Sequence, residues 1–248
     1  MTNQDFSTNP DSFAVPHEQL QLGLETVRFR LAEAARQAGR RPEEITLIGV
    51  SKSFSPAVAA AANRLGLADL GENRVQELLK KIDYCHEKGL NPNWHLIGTL
   101  QRNKVRYILG KTHLIHSVDT LSLLSEISRR SHRAGCVTDL LLQVNVAQES
   151  SKRGFSVEEL PRAAEEALRL PGIKLHGLMT MAPLFADPEN TRPIFDQARR
   201  LFRQLCEQVG KDNPLTVLSM GMSADFLQAV ACGATHVRIG TAIFGQRL

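Results

Sequence analysis

Apolar residues recur at steps of three and four through Leu20, Leu24, Val27, Leu31, Ala34 and Ala38, the spacing of one buried helix face. Gly39 and Pro42 follow and end that helix. The pattern then changes to short apolar runs of strand length: Ile45 to Lys52, Ala68 to Gly71, Trp94 to Gly98, His113 to Val118, Leu140 to Val146, Leu175 to Met181, Val217 to Met220 and Val237 to Ile239. Segments of helical period separate them, at Pro56 to Leu65, Asn73 to Ile82, Leu121 to Arg133, Val157 to Leu168, Pro193 to Val209 and Ala224 to Ala231. The one from Arg102 to Leu109 is short. Strand and helix alternate without hairpin signals, which predicts parallel strands joined by crossover helices.

Eight such units in about 200 residues predict a single closed (β/α)8 TIM barrel with an extra N-terminal helix. The alternative is an open doubly wound sheet. That fold would want G-x-G-x-x-G after the first strand, where the chain instead reads Gly49-Val50-Ser51-Lys52-Ser53. No linker divides the chain, so residues 18–248 are expected to form one domain, preceded by a polar, disordered tail over residues 1–17.

The 248 residues, 42% hydrophobic and 23% charged, have the composition of a soluble globular chain with a full core. A net charge of +4 is mild. The basic residues, such as Arg129, Arg130 and Arg133, recur at helical spacing with acids nearby and read as solvated helix faces, which argues against nucleic-acid binding. Cys85, Cys136, Cys206 and Cys232 form no CxxC or zinc pattern and are expected to be reduced thiols. His113 and His116 are three apart on a predicted strand, so they should face opposite sides, as packing or solvent residues that do not share a metal. Trp94 is expected in the core. Met1 to Pro16 lack an apolar core and any arginine, so no secretory signal is read there, and no apolar run reaches membrane-spanning length. The expectation is a cytoplasmic protein.

In a barrel, chemistry gathers at the C-terminal ends of the strands. Those ends carry Lys52, Glu72-Asn73, His95 and Gln101, His116 and Asp119, Asn145 and Thr180. Lys52 ends the first apolar run and is followed by Ser55-Pro56, a helix start. An amine at a strand rim either snorkels to solvent or loses hydration and becomes a nucleophile able to form a Schiff base with an aldehyde such as pyridoxal phosphate. The last two runs end in Ser219-Met220-Gly221-Met222-Ser223 and in Arg238-Ile239-Gly240-Thr241. Small residues and hydroxyls after strands seven and eight suit a phosphate, since bare backbone N–H groups approach an anion closely. Closure sets strand eight beside strand one, so Lys52, Asn73 and Arg238 are expected on one arc. There Lys52 would take the aldehyde, Asn73 the ring hydroxyl, and Arg238 the pyridine nitrogen, which a donor-only guanidinium leaves unprotonated.

At this point the chain resembles the pyridoxal phosphate homeostasis protein family, whose barrel is similar to the N-terminal domain of alanine racemase. The matching motifs are Val50-Ser51-Lys52, Gly71-Glu72-Asn73, Trp94 to Lys104, His116-Ser117-Val118-Asp119, Ser151-Lys152-Arg153-Gly154, Gly177 to Met181, Ser219 to Ser223 and Val237 to Thr241. The resemblance implies covalent pyridoxal 5'-phosphate on Lys52, ring contacts from Asn73 and Arg238, and phosphate contacts from Ser219, Gly240 and Thr241. It also implies buffering or delivery of the cofactor to apoenzymes, with no established catalytic activity.

A racemase needs a second acid-base group on the cofactor face opposite the lysine. In the racemases a tyrosine of an additional β-domain supplies it, whereas here nine residues follow Ile239 and the only tyrosines are Tyr84 and Tyr107. A monomeric carrier with no catalytic residue is therefore expected, and a weakly active amino-acid racemase or lyase is the alternative.

Overall fold

A computed structural model describes residues 15–149 and 153–246. Helix α1 (His17–Gln37) buries Leu20, Leu24, Val27, Leu31 and Ala34, the stripe its spacing predicts. Residues 1–14 of the expected tail lie outside the described residues, as do Ser151 and Lys152 of the matched motifs.

Strands β1 (Thr46–Val50), β2 (Asp69–Glu72), β3 (Asn93–Leu96), β4 (Leu114–Val118), β5 (Thr138–Gln143), β6 (Ile173–Met179), β7 (Val217–Ser219) and β8 (His236–Ile239) pair in chain order, all parallel. The pairs Leu47 with Val237, Ile48 with Arg238 and Gly49 with Ile239 join β8 to β1 and close the barrel. The open-sheet alternative is thereby excluded. Helices α2 (Pro56–Arg64), α3 (Val75–Glu87), α4 (Leu121–Arg133), α5 (Leu160–Arg169), α6 (Arg192–Val209) and α7 (Phe226–Ala231) form the connections, with a 3-10 turn (Arg102–Tyr107) between β3 and β4. A one-turn helix, α8 (Thr241–Phe244), follows β8.

Local signals account for the boundaries. Pro56 opens α2, and the Ser55 hydroxyl accepts the Val58 N–H at 3.4 Å, satisfying a donor that has no partner inside the helix. After β7 the chain turns at Gly221, whose φ is +92° and where an added Cβ would lie 2.5 Å from the Cβ of Ala229. Only glycine fits there.

The core has two parts. The larger packs the outer barrel face against the helices and includes Leu70, Leu96, Trp94, Leu142, Phe195 and Phe226. Inside the barrel a small apolar cluster of Leu114, Leu141, Met179 and Val217 fills the β4 to β7 side. Barrel interiors are usually filled by Val, Ile and Leu, yet here His95, His116, Ser219 and Arg238 are buried as well.

Candidate functional site

Lys52 follows β1 and is half-buried. A side chain at Gly49 would run into Leu67, in the loop between α2 and β2, so Gly49 faces outward and Ile48 and Val50 face inward; Lys52 stands two residues past the strand, in a turn. The turn beyond it is pinned. Ser53 has φ 67°, a left-handed conformation rare without glycine, and its N–H donates to Glu77 Oε2 at 3.0 Å.

Asn73 stands at the end of β2, the strand next to β1. Its backbone is wedged against Gly98: a Cβ at residue 98 would lie 2.6 Å from Asn73 Cα. Glu72 points the other way, behind the barrel wall. Its Oε1 receives the Lys81 ammonium at 2.5 Å and the Ser51 hydroxyl at 2.6 Å, while Lys81 also donates to the Ser51 carbonyl at 2.7 Å. Burial is the main cause of a raised Glu72 pKa, opposed by the Lys81 charge, and Glu72 Oε2 has no hydrogen-bond partner. This buried pair braces the two residues that precede Lys52 and Asn73.

Arg238 lies on β8 and is buried inside the barrel. Its Nη1 donates to Ser219 Oγ at 2.5 Å and its Nη2 to the Thr180 carbonyl at 2.9 Å. Burial lowers its pKa to about 10, opposed by the Asp225 carboxylate, so the guanidinium keeps its charge at neutral pH. Two of its nitrogens, Nη1 and Nη2, are held by the protein.

The Ser219 hydroxyl is not at the phosphate turns. It sits between Arg238 and His116, whose Nδ1 is 3.0 Å away. The hydroxyl at the turns is that of Ser223, on which the N–H groups of Gly240 and Ala242 converge at 3.1 and 3.4 Å. The Ser223 hydroxyl thus ties the turn after β7 to the turn after β8. Thr241 opens α8 beside it and is exposed.

The structure therefore brings together Arg238 with Ser219 and Gly240 with Ser223, and it sets β1, which leads to Lys52, between β8 of Arg238 and β2, which leads to Asn73. Sequence reasoning missed Ser223 as the hydroxyl facing Gly240, although it named the turn. It also missed what the histidines do. His116 is buried inside the barrel, its Nε2 2.9 Å from His95 Nδ1. His113 precedes β4, escapes strand alternation, and stacks edge-on against His95 with ring centres 5.3 Å apart. Among the described residues no group of side chains forms a metal site. Trp94 is core, as expected.

A family model described as "Alanine racemase, N-terminal domain" matches residues 24–248. The chain is 44% identical to the pyridoxal phosphate homeostasis protein of Aquifex aeolicus, covering 90% of this chain and 96% of that one. It is 40% identical to the protein of the same name from Pseudomonas aeruginosa, over 89% of this chain and 93% of the relative. Among solved structures, it resembles PipY of Synechococcus elongatus with PLP bound at 33% identity and a TM-score of 0.78, covering 91% of this chain and all of that one (100%). An alanine racemase of Clostridium difficile shares the fold at 16% identity with a TM-score of 0.76, where the match spans 93% of this chain and 60% of the racemase.

Proposed function

The chain belongs to the pyridoxal phosphate homeostasis protein family, on the alanine racemase N-terminal-domain fold, and from that premise we propose that it binds pyridoxal 5'-phosphate at the C-terminal mouth of the barrel and buffers or delivers the cofactor. One observation carries the reading. Arg238 is buried inside the barrel with Nη1 and Nη2 anchored by the protein, on the strand beside that of Lys52. A guanidinium carries five N–H donors, more than these two bonds use, and the remainder can meet an acceptor. A pyridine nitrogen is such an acceptor.

The donor set fits the cofactor. Lys52 would supply the amine for the aldehyde, Asn73 would meet the ring hydroxyl, and Arg238 would meet the ring nitrogen. Gly240, Thr241 and Ser223 receive the phosphate, while Ser219 acts by holding Arg238. When bound, the cofactor supplies an aldehyde carbon and an electron-withdrawing ring. Arg238 donates but accepts no proton, so it leaves that ring a weak electron sink, a setting suited to retention and transfer.

The racemase or lyase alternative needs an acid-base group opposite Lys52. The two tyrosines are engaged elsewhere: Lys88 lies over the Tyr84 ring, and Lys104 and Arg106 lie over that of Tyr107. We take the protein to be a cytoplasmic monomer whose partners are apoenzymes that require the cofactor. No described helix is long and apolar enough to cross a membrane. Borohydride reduction of the cofactor-loaded protein followed by peptide mass spectrometry tests the site: a pyridoxyl group is expected on the Lys52 peptide, and its appearance on another lysine overturns the assignment. A racemase assay with light scattering tests the role, and a stable dimer with enzyme-like turnover would favour the alternative.

A further inference from the structure

Five side chains from five strands form one unbroken line of hydrogen bonds across the barrel interior. Asp69 on β2 meets His95 on β3 at 3.0 Å; His95 meets His116 on β4 at 2.9 Å; His116 meets Ser219 on β7 at 3.0 Å; and Ser219 meets Arg238 on β8 at 2.5 Å. The line starts at the N-terminal end of β2, where Asp69 Oδ1 also accepts from Asn93 Nδ2 at 3.1 Å. It ends at the residue proposed to meet the cofactor ring.

The ends of this line dictate where every proton lies. A carboxylate can only accept and a guanidinium can only donate. His95 must therefore carry its proton on Nε2, facing Asp69, and present a bare Nδ1. His116 must then donate from Nε2 and accept at Nδ1, which commits the Ser219 hydroxyl proton to His116. Ser219 is left with lone pairs alone for Arg238. The opposite polarity would set a bare His95 nitrogen against the Asp69 oxygen.

We propose that Asp69, His95 and His116 are positioning residues for Arg238: they hold the Ser219 hydroxyl as a pure acceptor, which fixes the guanidinium in one orientation for the ring nitrogen of pyridoxal phosphate. This rests on the reading that Arg238 contacts the ring. The surroundings keep the line intact. Burial lowers the pKa values of His95 and His116, against the pull of the Asp69 carboxylate on His95, so both rings stay neutral. Burial opposes ionisation of Asp69, but hydrogen bonds from His95 and Asn93 outweigh it and its pKa is lowered. Without the line, a rotating Ser219 hydroxyl could point its proton at Arg238.

The test combines nitrogen-15 histidine spectra of the unliganded wild-type protein with cofactor titrations of Asp69→Ala, Asp69→Glu, Arg238→Ala and the Asp69→Ala/Arg238→Ala double variant. His95 and His116 are expected as neutral Nε2–H tautomers. Asp69→Ala should weaken cofactor binding by about threefold to tenfold, the usual worth of one hydrogen bond, and Asp69→Glu should recover part of it. In the Arg238→Ala background the Asp69→Ala loss should vanish, because the line then has nothing to position. Equal losses in both backgrounds, no loss in either, or Nδ1–H or charged histidines overturn the relay while Arg238 still matters for binding. If Arg238→Ala itself binds like wild type, the cofactor reading falls and the relay falls with it. Should Asp69→Ala fail to fold, the wild-type tautomers still decide the polarity and Ser219→Ala breaks the same line from the other end.

Discussion

Acid should destabilise this protein through His236, and the size of the effect follows from the structure. His236 begins β8, with ring centres 6.5 Å from those of both His95 and His116, and its Nδ1 lies 3.0 Å from the Thr235 hydroxyl. Burial is the main cause that lowers its pKa from 6.5 to about 4, reinforced by His95, His113 and Arg238 and opposed by the Asp69 carboxylate. The unfolded chain takes up this proton near pH 6.5 while the folded chain resists until about pH 4, so stability is complete above the first value, falls between the two and levels off below the second. At about 1.4 kcal/mol per unit, the loss is about 2.5 kcal/mol at roughly pH 4.5 and about 3.5 kcal/mol once titration is complete. Urea unfolding of wild type and His236→Gln from about pH 7.5 to about pH 4.5 isolates this residue, since the other titrating groups are common to both. The gap between the two proteins should change by about 2–3 kcal/mol across that range, in favour of the variant at acid pH. Parallel curves, or a His236 resonance titrating above about pH 6, would refute the reasoning.

Four further outcomes are expected. Lys52→Ala should abolish the visible absorption of the loaded protein and the pyridoxyl label, as checked by spectrum and mass spectrometry. Gly98→Ala should weaken cofactor binding with the barrel intact, because its methyl group must displace the Asn73 backbone; calorimetric titration beside circular dichroism separates the two effects. Lys81→Met should cost about 3–5 kcal/mol in urea unfolding by stranding the buried Glu72 carboxylate, and Lys81→Met/Glu72→Leu should recover most of it. Ser223→Ala should lower affinity for the phosphorylated cofactor more than for pyridoxal, a difference that parallel titrations of the two ligands would reveal.

The order and type of the elements were legible in the chain because they rest on periodicities of three to four and of two, which are local. The helical period of Leu121 to Arg133 becomes α4, and the first apolar run becomes β1. Placing Lys52, Asn73 and Arg238 on one arc needed only chain-order pairing, since closure makes β8 the neighbour of β1. The division of labour between Ser219 and Ser223 was not legible. Both hydroxyls lie within five residues that run from the end of β7 into the turn after it, and only the inward face of β7 decides that the first meets Arg238 while the second meets Gly240.

The line from Asp69 to Arg238 lies still further from the sequence. Its members sit on β2, β3, β4, β7 and β8, so no spacing links them. Single residues such as His95 and His116 look alike in sequence whether they pack, face solvent or bind a ligand. What the sequence by itself determined was which segments become strands and which ends carry an amine, an amide and a guanidinium, because propensity and alternation act over a few residues. What only the tertiary structure decided was which donors and acceptors meet, because the register of eight strands and the curvature of a closed barrel bring distant residues to hydrogen-bonding distance, and a buried polar group is stable only where a partner stands.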